Sequence, residues 1–337
     1  MSENIVTIAI DAMGGDNSPY KVLKGAELFN KKNNNVNLIF FGNEDVIDKC
    51  IKKNKFELYN YKIINTGENI ENNDTPSIII RNKKDSSIAQ GLEFIKNVKN
   101  SGFVSSGNTA AVMILSKMKL GMLEGIDRPA ICSIIPNHRD FSIMLDLGAN
   151  VTSEAKNLFQ FALMGYCYHS IFKPNIDPKI GILNIGTEEN KGKNHLQEAL
   201  DLINQSFLKK YLVGFMEPNK ITSGDCDIMI TDGYTGNIIL KTASGMSKFI
   251  TDNLKYIFKL SLKNKIAFKL IEKDLKKLRD NVDAEKYNGA ILIGVNGISI
   301  KSHGSASPFA FSSAIERCYK FIQNDINMKI QNKLNSL

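Results

Sequence analysis

The chain has 337 residues, 43% hydrophobic and 23% charged. That is enough material for a sizeable core, and the balance excludes a disordered or collagen-like chain; no apolar run reaches the ~20 residues needed to span a bilayer. With 43 Lys and Arg against 35 Asp and Glu the net charge is +8, which suits an acidic partner or substrate, but much of the excess is Lys beside Asn and fits a biased coding composition equally well.

Along the chain, short β-rich runs alternate with helical patterns. "IVTIAI", "NLIFFG", "YKIINTG" and "GFVSSG" come first, followed by "AICSIIP" and "FSIMLDLG". "KIGILNIG", "YLVGFME", "DIMITDG", "AILIGVNG" and "ISIKSHG" complete the set. Most are apolar almost throughout, as strands covered on both faces are. Amphipathic stretches such as "YKVLKGAELFNKK" and "SEAKNLFQFALMGYCYHSIF" separate many of them. The alternation predicts an α/β fold with a mostly parallel sheet. "AICSIIPNHRDFSIMLDLGAN" breaks it: "NHRD" reads as a hairpin turn, so the sheet is expected to be mixed. No repeat, low-complexity linker or composition break marks a domain boundary.

From Ser247 to Asn281 the chain lacks Gly and Pro and reads as a basic amphipathic helical segment. Between Lys241 and Asp280 it carries eleven Lys and Arg against four Asp and Glu. Phe249, Ile250, Leu254, Ile257, Phe258, Leu260 and Leu262 recur at helical spacing with lysines between them. Such a segment lies on an anionic membrane, docks an acidic protein, or packs as a long surface helix at a dimer interface; its composition suits all three.

Nearly every strand ends in a polar, glycine-bearing turn. "DAMGGDNSP" contributes Asp11, Gly14, Gly15 and Asp16; "SSGNTAA" contributes Ser105, Ser106, Gly107, Asn108 and Thr109. "LDLGAN" brings Asp146, Gly148 and Asn150, and "NIGTEENKG" brings Asn184, Gly186, Glu188, Lys191 and Gly192. "TDGYTGN" adds Asp232, Gly233, Gly236 and Asn237, and "KSHGSA" adds His303, Gly304 and Ser305. Each alone is ordinary turn and capping chemistry. Together they predict one crevice at the carboxyl ends of the strands.

"SSGNTAAVMILSKMKL" is the best suited to an anion: glycine exposes backbone N–H groups, and a helix N-terminus follows. Neither GxxxxGK[ST] nor GxGxxG after the first strand is present, which disfavours a kinase, an ATPase or a dinucleotide enzyme. There is no GxSxG elbow. The five cysteines (Cys50, Cys132, Cys167, Cys226, Cys318) are widely spaced, with no CxxC and no His at metal-ligand spacing, and predict a reducing compartment. "MSENIVTIAID" leads straight into a strand without a signal segment, so the expectation is a cytoplasmic protein. Of His138, His169, His195 and His303 only the last stands at a glycine-flanked strand end. Lys191 and Lys241 suit phosphate or, equally, solvent.

In order and spacing, "IAIDAMGGDNSP", "SSGNTAA", "RPAI", "LDLGAN", "NIGTEENKG", "DIMITDGYTGNIILK" and "GVNGISIKSHGS" resemble the signatures of the bacterial phosphate acyltransferase family, from about Ile5 to Tyr319. The resemblance implies a three-layer α/β/α fold similar to isocitrate and isopropylmalate dehydrogenases and to phosphotransacetylase. It implies one catalytic domain of two intertwined subdomains, assembled as a homodimer. The implied reaction takes acyl-[acyl carrier protein] and inorganic phosphate to acyl phosphate, which a membrane glycerol-3-phosphate acyltransferase consumes. Departures from the family pattern are "SSGNTAA" for "SAGNTGA", Asn288 in "KYNGA" for "YGGA", and Ser244 where an acid is common.

Phosphate attacking a thioester needs a held, desolvated dianion, a polarised carbonyl and a stabilised oxyanion; thiolate leaves with little acid help. Ser106, Gly107, Asn108 and Thr109 are the expected phosphate cradle, with Lys191 supplying charge. Gly14, Gly15, Asn150, Gly233 and Gly236 are the further substrate-contact candidates. Asn237 or His303 is the expected donor to the thioester oxygen, and Asp11, Asp16, Asp146 and Asp232 orient these groups, or bind a cation if one is used. No metal, cofactor or nucleic acid is expected. The basic segment would attract the acidic carrier protein or an anionic membrane. Three rivals are a phosphotransferase using a coenzyme A thioester, a non-catalytic binding protein for an acidic partner, and a decarboxylating dehydrogenase, the last lacking any nicotinamide site.

Overall fold

A computed structural model describes residues 5–71, 74–188, 191–281 and 285–337. Residues 189–190 of "NIGTEENKG" and the side chains of 277–281 in the basic segment lie outside the described residues. The first half runs β1 (Thr7–Asp11), α1 (Tyr20–Asn30), β2 (Asn37–Gly42), α2 (Glu44–Asn54), β3 (Tyr61–Asn65), α3 (Pro76–Asn82), α4 (Ser87–Asn97), β4 (Ser101–Ser105) and α5 (Thr109–Leu120). The hairpin β5 (Ala130–Pro136) and β6 (Phe141–Leu145) leads to α6 (Ala155–Phe172), β7 (Ile180–Leu183), α7 (Asn194–Asn204), β8 (Leu212–Met216) and β9 (Ile228–Ile230). Then come α8 (Gly233–Lys259), α9 (Leu262–Asn281), β10 (Ala290–Ile293), β11 (Ile298–Lys301), α10 (Pro308–Gln323) and α11 (Ile326–Leu334).

Among the described residues eleven strands join one sheet, in the order β3-β2-β1-β4-β11-β10-β5-β6-β9-β7-β8. Every β-rich run of the sequence is therefore a strand, and the expected α/β fold with a mixed, mostly parallel sheet is the one observed. The apolar faces of the strands explain the layers. Ile8, Ile10, Val104 and Ile300 bury against α1, α6 and α10 on one face, whereas Ala9 and Phe103 bury against α4 and α5 on the other. The "NHRD" turn closes as expected, with Asn137 N–H donating to the Asp140 carbonyl at 3.2 Å and Ser133 opposite Met144 in antiparallel register.

The direction of the strands decides where the site can be. β1, β2, β3, β4 and β11 are mutually parallel. β10 runs antiparallel to β11 and to β5, and β5 antiparallel to β6, so β5 shares the direction of the first block and β6 reverses it. β9, β7 and β8 follow β6 in parallel. The carboxyl ends of β1, β4 and β11 thus lie on one edge of the sheet, and those of β6, β9 and β7 on the opposite edge.

The basic segment is a helical hairpin rather than one helix. Ser261 stops the first helix by starting the second: its hydroxyl accepts the Asn264 N–H at 3.1 Å, the pattern of an N-cap. Phe258 and Phe268 meet edge-on across the bend, with ring centroids 5.2 Å apart. Among the described residues α8 buries only Gly233 and Gly236, so the hairpin stands away from the body with its apolar side chains uncovered. No helix, among the described residues, is long and apolar enough to cross a membrane.

Candidate functional site

The six glycine-bearing turns follow strands of two opposite directions, those after β1, β4 and β11 in one group and those after β6, β7 and β9 in the other. On the first edge Asp11, fully buried at the end of β1, is the hub. Its Oδ1 accepts the N–H groups of Met13 and Gly14, both at 3.1 Å, and the Ser87 hydroxyl at 2.6 Å. Its Oδ2 accepts the Ser105 hydroxyl at 2.6 Å, and the Ser105 oxygen in turn accepts the Gly107 N–H at 2.9 Å. Gly14 has no room for a side chain, because a Cβ there would stand 2.2 Å from Asp11 Oδ2 and 2.6 Å from the Gly107 nitrogen. Gly15 turns at φ +82°, beside the carbonyls of Ser106 and Gly304. The acid is thus a structural clamp that locks the "DAMGGD" turn onto the "SSGNT" turn.

The residues expected from the sequence to form an anion cradle sit here. The Ser106 hydroxyl is committed to the Gly14 carbonyl at 2.7 Å, so this loop offers an approaching anion its backbone more than its first hydroxyl. Asn108 caps α5, its side chain accepting the Ala111 N–H at 3.0 Å, and donates to the Glu71 carbonyl at 3.2 Å. Thr109 is exposed on the first turn. From β11 the exposed His303 joins the same edge, where Asp16 N–H and Lys21 Nζ both bond the Gly304 carbonyl, at 2.9 and 2.6 Å. His303 Nδ1 faces Ser305, 3.2 Å from its N–H and 2.9 Å from its hydroxyl, which leaves Nε2 outside that contact. Asn288, where the family pattern has glycine, holds this loop: it donates to Ser302 Oγ at 2.7 Å and the Ala310 carbonyl at 2.8 Å, and accepts His303 N–H at 3.1 Å. Asp16 itself is exposed.

On the opposite edge Asp146, also fully buried, plays the part of Asp11. Its carboxylate accepts the N–H groups of Ile131, Gly148, Ala149 and Asn150 at 2.7–3.0 Å, and the Asn150 side-chain amide at 2.9 Å. Burial pushes its pKa up, and the N–H groups, those of Ala149 and Ile131 foremost, pull against that. The start of α8 presses onto this loop. A Cβ at Gly236 would lie 1.9 Å from the Asp146 carbonyl oxygen, and one at Gly233 2.4 Å from that of Asn150. Asp232 caps α8 by accepting Thr235 N–H at 2.7 Å. Asn237 borders Gly148, whose Cβ would sit 3.4 Å from its own. From β7, Asn184 ties back to the Lys191 carbonyl at 2.8 Å. Lys191 is exposed and paired with Glu188 at 2.7 Å, a contact that raises the lysine pKa and lowers that of the glutamate. Lys241 and Ser244 are exposed on α8.

Two lysines that sequence reading passed over belong to the first edge. Lys21 is 3% exposed, and burial lowers its pKa against the pull of Asp16 and Asp11. Lys301 is driven down to about 8 by burial and then by Lys21, with Asp11 opposing. Their signal was faint: one interrupts the apolar face of α1, the other closes an apolar strand in "ISIK".

No cysteine is primed as a nucleophile. Burial raises the thiol pKa of Cys132, Cys167, Cys226 and Cys318, and of the half-buried Cys50. All five are free.

A profile of the family described as "Fatty acid synthesis protein" matches residues 6–329. The chain is 36% identical to a phosphate acyltransferase of Pelagibacter ubique, over 98% of this chain and 99% of that protein. It is 37% identical to a phosphate acyltransferase of Clostridium tetani, covering 97% of each. In fold it is similar to a phosphotransacetylase from Streptococcus pyogenes, with a TM-score of 0.62 at 18% identity over 95% of each chain. A branched-chain phosphotransacylase from Enterococcus faecalis superposes with a TM-score of 0.56 at 10% identity, over 94% of this chain and 99% of that one. Profile and relatives agree over almost the full length, so the chain belongs to the phosphate acyltransferase family of fatty acid synthesis and is an acyltransferase.

Proposed function

We propose that this enzyme transfers a fatty acyl group from acyl-[acyl carrier protein] to inorganic phosphate, and that phosphate attacks the thioester directly. The observation that carries the reading is the first edge: a backbone cradle clamped by Asp11, flanked by cations, with no activated cysteine beside it among the described residues. A phosphate oxygen forms the new bond to the acyl carbon, the carbonyl oxygen takes up negative charge, and the carbon–sulfur bond breaks to release thiolate, which takes a proton from solvent. Residues 106–109 hold the phosphate, and the His303 Nε2–H donates to the developing oxyanion. Asn237, on the opposite edge, is the second candidate donor. Loss of the true donor in His303→Ala or Asn237→Ala is expected to lower kcat about 10²-fold with little change in the KM for phosphate. If neither variant loses turnover, oxyanion stabilisation by these side chains is wrong.

Direct attack leaves no acyl-enzyme. Mixing the enzyme with acyl-carrier protein in the absence of phosphate should therefore leave its intact mass unchanged; a covalent acyl adduct would exclude the mechanism. Competition between acyl-carrier protein and acyl-coenzyme A separates the proposed donor from a coenzyme A thioester.

The product is lipid-like and the carrier protein acidic, and the α8–α9 hairpin suits such surroundings. Its tip exposes Leu260 (57%) and Leu262 (77%), next to Lys259, Lys263 and Lys265. Apolar side chains ringed by lysine insert into an anionic interface. The working form is then a cytoplasmic homodimer in peripheral contact with the membrane, delivering acyl phosphate to a membrane glycerol-3-phosphate acyltransferase. Leu260→Glu with Leu262→Glu should abolish co-sedimentation with anionic liposomes. Unchanged co-sedimentation would assign the hairpin to subunit packing instead.

A further inference from the structure

The phosphate cradle expected from the sequence paired residues 106–109 with Lys191, an exposed lysine of the loop after β7 that is tied to Glu188 at 2.7 Å. Other cations stand beside the cradle. β1, β4 and β11 are neighbours in the sheet, with Ile10 opposite Val104 and Lys301 opposite Ser105. The last residues of the three strands, Asp11, Ser105 and Lys301, therefore form one row. Side chains alternate along a strand, and Ile10, Val104 and Ile300 face α1 and α10, so the row faces α4 and α5, the helix that the "SSGNT" turn begins.

Lys21 reaches the same edge from α1. It lines a cavity of about 630 Å³ together with Ser18, Ser305 and Ser307. Among the described residues neither lysine lies within ion-pair distance of a carboxylate. Lys21 Nζ bonds the Gly304 carbonyl and Lys301 Nζ the Ser302 carbonyl, both neutral acceptors. Asp11, which attracts both lysines, already accepts four hydrogen bonds. Asp16, which pulls on Lys21, is exposed, and the exposed Glu285 lines the same cavity. A buried lysine, Lys21, whose charge lowers the pKa of a second, half-buried one, Lys301, is unfavourable in a free protein; a bound dianion reverses the balance.

We propose that Lys301 and Lys21 are the phosphate-binding cations of this enzyme, gripping the acceptor's oxygens against the backbone N–H groups of residues 106–109. The proposal rests on the reading of phosphate as acceptor. Lys301, at the end of β11, holds the nucleophile in the row of strand ends; Lys21, reaching in from α1, neutralises further oxygens of the same anion. Both act by charge and by N–H donation, and neither transfers a proton.

Direct phosphate binding and steady-state kinetics test it together on the full chain. Lys301→Met is expected to raise the KM for phosphate, and the dissociation constant for inorganic phosphate alone, by about tenfold or more, leaving the KM for the thioester within about twofold. Lys301→Arg should recover most of the loss, and Lys21→Met should show a smaller effect of the same kind. Wild-type protein supplies a readout independent of any variant: near pH 8, inorganic phosphate should protect Lys301 and Lys21, but not Lys191, from amine acetylation followed by peptide mass spectrometry. Wild-type phosphate KM and affinity in Lys301→Met, or protection of Lys191 alone, would overturn the assignment while leaving phosphate as the acceptor. Wild-type enzyme that neither binds phosphate nor needs it for thioester cleavage would instead sink the acceptor reading, and the assignment with it.

Discussion

Asp146→Ala is expected to destabilise the protein by about 3–5 kcal/mol, one of the largest losses available to a single substitution outside the apolar core. The carboxylate is fully buried and accepts four backbone N–H groups and one side-chain amide. Alanine leaves the N–H groups of Ile131, Gly148, Ala149 and Asn150 facing a polar hole. Each stranded donor costs about 1–3 kcal/mol, and water entering the hole recovers part of the total. The loop it secures is the platform for α8, since Gly236 lies against the Asp146 carbonyl. Asp146→Asn keeps one acceptor oxygen but turns an NH₂ towards other donors, so it should lose about half as much. Denaturant midpoints for the three proteins check the order; an alanine variant within about 1 kcal/mol of wild type would mean that the loop finds other acceptors.

Lys301→Met should do the opposite, stabilising the ligand-free enzyme while damaging its use of phosphate. Burial, helped by the charge of Lys21 and opposed by Asp11, brings the Lys301 pKa from 10.5 to about 8. Below pH 8 the lysine is charged in the folded and unfolded states alike, and the fold bears the full penalty. Between about 8 and 10.5 the unfolded chain binds more protons than the folded one, so stability rises with pH across that window. A shift of this size corresponds to about 3 kcal/mol as an upper bound, so a gain of about 1–3 kcal/mol at pH 7 is expected from methionine. The rise in stability between pH 8 and 10.5 should flatten in the variant. A substitution that lowers stability at pH 7 and leaves the pH dependence intact would show that Lys301 is well solvated.

How much could be seen in advance differs sharply between elements. Strands such as "NLIFFG" and "KIGILNIG" announce themselves because both faces are covered, and "NHRD" announces its hairpin because four polar residues interrupt two apolar runs. Asp11 and Asp146 were visible as acids that orient or cap, and the structure shows both as hubs for backbone N–H groups. Strand direction was less legible. The hairpin at Asn137–Asp140 already implies that the strands after it run back the other way, yet that reversal divides the polar turns between two edges only once the order of the sheet is known. The return of β10 and β11 to a place between β4 and β5 rests on contacts across almost 200 residues, and no local pattern encodes it. The bend after Leu260 was hidden in a run without Gly or Pro because a single serine makes it. Lys301 escaped because a lysine closing an apolar strand looks like a solvated strand end; its importance comes from Asp11 and Ser105 alongside it, supplied by two other strands.

Phosphate-dependent thiol release tests the proposed reaction most directly. Acyl-carrier protein and inorganic phosphate alone, with purified enzyme, should release one carrier-protein thiol for each acyl phosphate formed, the latter trapped as the hydroxamate. Omitting phosphate should abolish release. Thiol release at the same rate without phosphate, or with free fatty acid as the only product, would contradict phosphate as the nucleophile.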